Sequence, residues 1–199
     1  MAPCQLGLFA RSLPAVERAD LGWNMLAFSK PDFTAPFDAF PGLTLIVYDL
    51  RPTSRGRLTL ADPRPQTPPR VWMNYLDTAR DRRVIVDAMR LTRRLMAAPA
   101  MAALQPREQF PGPGVGDDDA ALLEVARASA TTIYHPVGSA RMGPADDPLA
   151  VCDAALRVHG VQGLRVIDAS VMPSITSGNT ASPTVMIAEK GADLVRQAG

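Results

Sequence analysis

His135 is one of only two histidines in the chain and stands in Tyr134-His135-Pro136-Val137-Gly138-Ser139, between an aromatic residue and a Pro/Gly turn. An imidazole takes up and returns protons near neutral pH, which suits it to general-base work. Pro136 fixes its own φ and biases His135 toward an extended backbone, so the ring is carried on a stiff segment, as a catalytic base requires. The same features suit a hydrogen-bonded structural histidine, and the residues alone leave both readings open. His159, in Arg157-Val158-His159-Gly160, precedes a turn and reads as structural or surface. Asp168 ends the apolar run Leu164-Arg165-Val166-Ile167 and is followed by the small residues Ala169 and Ser170. An acid at the carboxyl end of a buried strand is where open α/β sheets commonly meet a ligand; an acid there equally caps a turn. Ser177-Gly178-Asn179-Thr180-Ala181 is a small-residue loop that runs into Ser182-Pro183, a helix N-cap and first-turn proline. The amides at that helix start can face an electron-rich ligand group.

Other candidates fall away. Gly112-Pro113-Gly114-Val115-Gly116 has the look of a nucleotide-binding glycine loop, but no strand precedes it and its prolines remove backbone donors. Asp117, Asp118 and Asp119 follow at once; carboxylates suit a helix N-terminus but repel a pyrophosphate placed there. Cys4 and Cys152 are too few for a disulfide framework or a zinc site, and no metal is expected.

The elements that must position these residues are partly legible. Leu43 to Leu50 reads as a strand, bounded by Pro41-Gly42 and Pro52, and Arg57 to Leu60 as a second after the turn at Ser54-Arg55-Gly56. Residues 71–76 look extended. Asp77 is placed to cap a helix that runs to about Ala98, where Pro99 stops it, with Ile85, Ala88, Met89, Thr92, Leu95 and Met96 on its apolar face. Its arginines, Arg80, Arg82, Arg83, Arg90, Arg93 and Arg94, read as a solvated face. A helix starts at the aspartate run and continues through Leu122, Val125 and Ala126. Leu164 to Asp168 reads as a buried strand. The last helix covers Pro183 to Gln197; it is apolar on nearly all sides from Val185 to Ala188, which predicts a buried first half.

Composition bounds the function class. With 199 residues, 47% hydrophobic, 21% charged and a net charge of +1, the chain has no positive field to attract nucleic acid, and it can bury roughly 70% of its unfolded surface. No apolar run approaches the roughly 20 residues that cross a bilayer. No leader is evident at the start, so the expected compartment is the cytoplasm. The 19 prolines, about twice the usual share, put much of the chain in turns and irregular connections.

Several blocks, in order, carry a family resemblance: Tyr134 to Ser139, Arg141-Met142-Gly143, Asp153, Leu156-Arg157-Val158, Gly160-Val161, Gly163 through Ser170, Pro173, Gly178-Asn179-Thr180 and Glu189-Lys190. Together they resemble the C-terminal region of glucose–methanol–choline (GMC) oxidoreductases, especially the choline-dehydrogenase-like flavoproteins. Arg51-Pro52-Thr53-Ser54-Arg55-Gly56, with Asn74-Tyr75-Leu76 and Asp81, resembles the substrate domain of that family, so the resemblance covers nearly the whole chain.

The resemblance implies an α+β fold: an antiparallel sheet with flanking helices over residues 1–156, including the active-site histidine segment, and a closing strand and helix over residues 157–199 that complete a Rossmann-like FAD domain. It implies FAD as cofactor and a small-molecule alcohol as substrate, oxidised by hydride transfer to flavin N5. His135 takes the place of the base and Asn179 that of its partner, which holds the substrate oxygen. Asp168 and Ala169 match a position that contacts FAD, and the backbone at Thr180 and Ala181 lies near the flavin pyrimidine edge. The strand and Gly-x-Gly-x-x-Gly turn with which family members cradle the FAD pyrophosphate do not occur in this sequence. The expectation is therefore a C-terminal part that works joined to, or assembled with, the body of an FAD-binding domain. The alternative is a catalytically silent fragment or substrate-domain module that needs a separate FAD-binding chain.

Overall fold

Leu21 and Trp23 sit two residues apart on one side of a strand and are almost wholly buried, the mark of a sheet with one face packed on a helix. The computed structural model describes residues 4–31 and 34–197. It divides into two compact units, Met1–Ser54 with Leu76–Ala130, and Arg55–Tyr75 with Thr131–Gly199.

The first unit holds a three-stranded antiparallel sheet in sequential order: β1 (Cys4–Ala10), β2 (Leu21–Leu26) and β3 (Thr44–Asp49). Against it packs α1 (Ala79–Met96), which contributes Val84 and Ala88 to a core with Leu21 and Trp23, flanked by Leu45, Val47, Ile85 and Leu91. The Trp23 indole donates to Thr92 Oγ1 at 2.8 Å, which satisfies the polar edge of a buried ring. A short α2 (Pro99–Ala102) follows, and α3 (Asp119–Ser129) packs on α1 with Leu122 and Ala126 buried.

Asp81 ties the connection after β3 to the first turn of α1. Its carboxylate accepts from the Thr53 amide at 2.9 Å, the Thr53 hydroxyl at 2.7 Å and the Ser54 amide at 2.7 Å. Burial by itself would push its pKa up, but the hydrogen bonds from Ser54 and Thr53 outweigh that and hold it well below the usual carboxylate range. Beside it, Arg80 bonds Asp49, lies 3.3 Å from Asp81 and reaches to 3.9 Å from Asp20.

The second unit begins with a hairpin, β4 (Arg57–Thr59) and β5 (Arg70–Trp72), with Arg57 opposite Trp72 and its guanidinium stacked 4.5 Å from the centre of that ring. A side chain at Gly56 would meet the Trp72 carbonyl at 2.1 Å, so the close return of the hairpin demands glycine there. The core of this unit is Cys152, Leu156, Val171, Met172 and Ile187, flanked by Val137, Met142, Val166 and Ile167. A 3₁₀ turn (Ala169–Val171) and α4 (Ala181–Arg196) complete it. α4 approaches closely at Gly191, where a Cβ would meet Ile167 Cγ2 at 2.3 Å.

The antiparallel sheet with flanking helices is the fold class expected. Several local expectations are corrected. Leu164 to Asp168 is not a strand: Arg165 is bridged to Arg157, with the Leu164 carbonyl accepting from the Val158 amide and the Val166 amide donating to the Leu156 carbonyl, and the pairing extends no further into a ladder. The first half of α4 is not buried: Val185 is 60% and Met186 59% exposed, Ala188 is exposed, and only Ile187 enters the core. The helix caps shift as well. Thr78, not Asp77, caps α1, its hydroxyl accepting from the Asp81 amide, and α4 starts at Ala181 after Thr180, ahead of Ser182-Pro183. Pro99 ends α1 but then opens α2, where its missing N–H costs nothing. The arginines of α1 are not merely solvated: Arg82 donates to the Leu76 carbonyl, Arg90 to Asp117 and Asp119, and Arg93 to Glu108 and to the carbonyls of Val115 and Gly116. Sequence reading also passed over β1 and β2, whose glycines and polar residues blur the apolar alternation.

Candidate functional site

The stretch that carries His135 is locked into the core of the second unit just after the ring. Val137 packs on the Cys152–Val171 cluster, and Gly138, with φ +85°, lies so close to the Met172 carbonyl that a Cβ there would stand 3.2 Å from it. From there the chain runs alongside the 3₁₀ turn, with the Ala140 amide donating to Ser170 O at 3.0 Å and the Met142 amide to Val171 O at 2.8 Å. The same turn leads through Met172 and Pro173 to the loop of Asn179. The turn thus holds the segment after His135 and is also where the chain sets out toward Asn179.

Its consequence is a meeting of distant residues: Asn179 Nδ2 lies 3.5 Å from His135 Nε2 across a sequence separation of 44. That is the outer limit of a hydrogen bond, so the two groups face a common point more than they bind each other. When Asn179 donates, the ring accepts at Nε2 and carries its proton on Nδ1, the state in which Nε2 takes up a proton. His135 is half-buried and Asn179 exposed, so both heads are reachable from solvent.

The other expected site residues sit nearby in sequence, with distinct local tasks. Asp168 caps the 3₁₀ turn, its Oδ1 accepting from the Ser170 amide at 2.8 Å and the Ser170 hydroxyl at 2.5 Å. This is the turn-capping alternative, and it shapes the anchor on which the pair depends. Ala169 packs against the core. Thr180 is buried, and its carbonyl accepts from the Thr184 amide at 3.0 Å and hydroxyl at 2.6 Å; its side chain makes no cap bond to α4. The first amides of α4, with Ala181 exposed, are thus not consumed by a side-chain cap, which fits a helix end that faces an electron-rich group. His159 is held at both ends, its ring Nε2 3.1 Å from the Gly143 carbonyl and its amide donating to Val151 O, in keeping with a structural role.

The loop from Arg141 to Asp153 is stapled by Arg141, whose Nη2 donates to both carboxylate oxygens of Asp147 at 2.6 and 2.8 Å. Asp153 accepts from the Arg157 and Ala155 amides, and the Arg157 amide is the chief reason its pKa is lowered. Burial pushes the Cys152 thiol up, so this cysteine is a core residue and not a nucleophile. A residue that sequence reading missed is Thr132, whose hydroxyl accepts from the Tyr134 amide at 2.9 Å one residue before His135. The readable signal was a threonine two positions before a turn.

Residues 52–188 match the sequence pattern of the GMC oxidoreductase family. The chain is 48% identical over 155 residues to oxygen-dependent choline dehydrogenase 1 of Chromohalobacter salexigens, covering 78% of this chain and 28% of that protein. It is 39% identical over 189 residues to alcohol dehydrogenase [acceptor] of Pseudomonas putida, covering 95% of this chain and 34% of that one. In fold it is similar to an FAD-dependent oxidoreductase from Chaetomium thermophilum, with a TM-score of 0.77 at 26% identity over 91% of this chain and 28% of the other. The chain thus spans about a third of the length of the relatives it matches. Matched over most of its length in sequence, and alike in fold over 91% of it, the chain belongs to the GMC oxidoreductases and carries their C-terminal region.

Proposed function

We propose that this chain supplies the proton-handling half of an FAD-dependent alcohol oxidoreductase acting on a small-molecule CH–OH substrate. The observation that carries the reading is the approach of Asn179 to His135 across 44 residues, in a chain whose relatives include proteins named for choline and alcohol dehydrogenation. His135 Nε2 accepts the substrate hydroxyl proton, and Asn179 Nδ2 donates to the substrate oxygen and holds it in line; general-base help of this kind contributes about 10²–10⁴-fold in rate. FAD, when bound, supplies the acceptor for the hydride that leaves the carbon. Of the residues present, the amides at the start of α4 around Thr180 and Ala181, which no side chain caps, and the turn at Asp168 and Ala169, are the ones to hold it; the uncapped helix end favours that assignment. Residues 157–199 then form the closing segment of the cofactor domain, and residues 1–156 the substrate side.

A second reading, a substrate-domain module that works only with a separate FAD-binding chain, is favoured by the exposure of Val185, Met186 and Leu164. Joining the 199-residue chain to a flavin-loaded FAD-binding domain of a relative, against mixing the two as separate chains, separates the readings: turnover only when joined supports the first, and turnover on mixing supports the second. In flavin-loaded enzyme, His135→Ala is expected to lower turnover at unchanged flavin content. Unchanged turnover would overturn the assignment of His135 as base.

A further inference from the structure

The backbone on either side of His135 bends into the left-handed region twice, at Tyr134 with φ +64° and at Gly138 with φ +85°. Glycine takes that conformation without cost. Tyrosine does not, because its Cβ crowds the following carbonyl. Nor does side-chain packing hold Tyr134 in place, since the residue is 80% exposed. What does restrain it is the Thr132 hydroxyl, which accepts from the Tyr134 amide at 2.9 Å and closes a tight turn immediately before His135. On the far side, Pro136 stiffens the backbone, Val137 is packed in the core and Gly138 rests against the Met172 carbonyl. The segment from His135 to Val137 is thus suspended between two left-handed bends, one anchored by the core and the other by a single hydroxyl. A disfavoured backbone state beside a reactive ring persists only where its surroundings impose it.

We propose that Thr132 and Tyr134 are positioning residues for His135: the Thr132 hydroxyl fixes the left-handed turn at Tyr134, and that turn aims the imidazole at Asn179. The catalytic meaning of the device rests on His135 acting as the base; the aiming itself does not. Two pairs of variants isolate it. Thr132→Ser keeps the hydroxyl and Thr132→Val removes it at nearly constant shape. Tyr134→Asn and Tyr134→Val both remove the phenol, but asparagine tolerates positive φ and a β-branched valine does not, so a difference between them reports the backbone and not the ring.

The experiment uses the full chain labelled with ¹³C at histidine Cε1, where two histidines give two signals, assigned with His135→Gln. In Thr132→Ser and Tyr134→Asn the His135 signal and its cross-relaxation to the Asn179 side-chain amide should match the parent. In Thr132→Val and Tyr134→Val the signal should move and the cross-relaxation weaken, while the His159 signal stays in place as the control for folding. If the His135 signal keeps its position and its Asn179 contact in both valine variants, or if serine and asparagine disturb it as much as valine does, the proposal is wrong. A variant in which His159 also moves is replaced by Thr132→Ala or Tyr134→Ile, read by the same criteria. In flavin-loaded enzyme, Tyr134→Val should turn over more slowly than Tyr134→Asn by up to ~10²-fold, the loss a misplacement of about 1 Å brings. If His135→Ala keeps full turnover while the signals behave as expected, the base assignment fails and the positioning stands.

Discussion

On the proposed function His135 and Asn179 divide one task, and their substitutions should then differ in degree. His135→Ala would remove the proposed proton acceptor and is expected to cost about 10²–10⁴-fold in turnover. Asn179→Ala would remove the hydrogen bond proposed to hold the substrate oxygen and is expected to cost less in turnover while raising KM; steady-state kinetics at matched flavin content checks both. Asp81 illustrates a different use of a charged residue. It is 4% exposed and accepts three hydrogen bonds from Thr53 and Ser54, so Asp81→Ala strands those donors and should destabilise the fold by about 3 kcal/mol in denaturant unfolding. Because its pKa is lower folded than unfolded, its contribution is complete above the ordinary carboxylate pKa of about 4 and is lost as pH falls below that toward the folded value. The Asp81→Ala and parent stabilities should therefore converge in acid; a gap that stays constant from pH 6 to pH 2 would refute this.

Helix ends and faces are where local sequence signals and packing competed. Two adjacent residues, Asp77 and Thr78, are both good caps by type. Thr78 was selected because its hydroxyl meets the Asp81 amide while also lying 2.7 Å from the Thr53 hydroxyl. Thr78→Ala should cost about 1 kcal/mol and Asp77→Ala much less. In α4 the apolar run from Val185 to Ala188 is continuous, yet only Ile187 reaches the core. Ile187→Ala should cost about 2–5 kcal/mol, whereas Met186→Ala should stay within about 0.5 kcal/mol in the isolated chain. Equal losses at the two positions would mean that Met186 is covered in solution.

Across the whole molecule, the accessible surface is 13396 Å². Two separate compact domains of these sizes would together expose only about 11,000 Å². The chain buries about 57% of its unfolded surface, short of the roughly 70% its length allows. Exposed Leu58, Leu60, Val71, Trp72, Val185 and Met186 contribute to that excess. Two results are expected of the purified chain: binding of an apolar fluorescent dye, and no stoichiometric yellow flavin by absorbance. Flavin bound one to one would show that this chain by itself suffices to hold the cofactor. No helix among the described residues is long and apolar enough to cross a membrane.

What the residues determined alone was local and chemical. β3 was readable from its β-branched and aliphatic run between prolines, and α1 from its spacing of apolar residues. The stiffness of the His135 segment was readable from Pro136, and the membership of the family from ordered blocks after residue 130 and around residues 51–81. β1 and β2 were not readable, because a strand interrupted by glycine and asparagine is recognised only by the partners that pair with it. The strand expected at Leu164 to Asp168 failed for the converse reason: apolar β-formers become a strand only when a neighbour completes the ladder. The 3.5 Å approach of Asn179 to His135 was decided by tertiary structure, since nothing local spans 44 residues. It rests on the turn at Ser170 and Val171, to which the segment after His135 is hydrogen-bonded and from which the chain continues to Asn179.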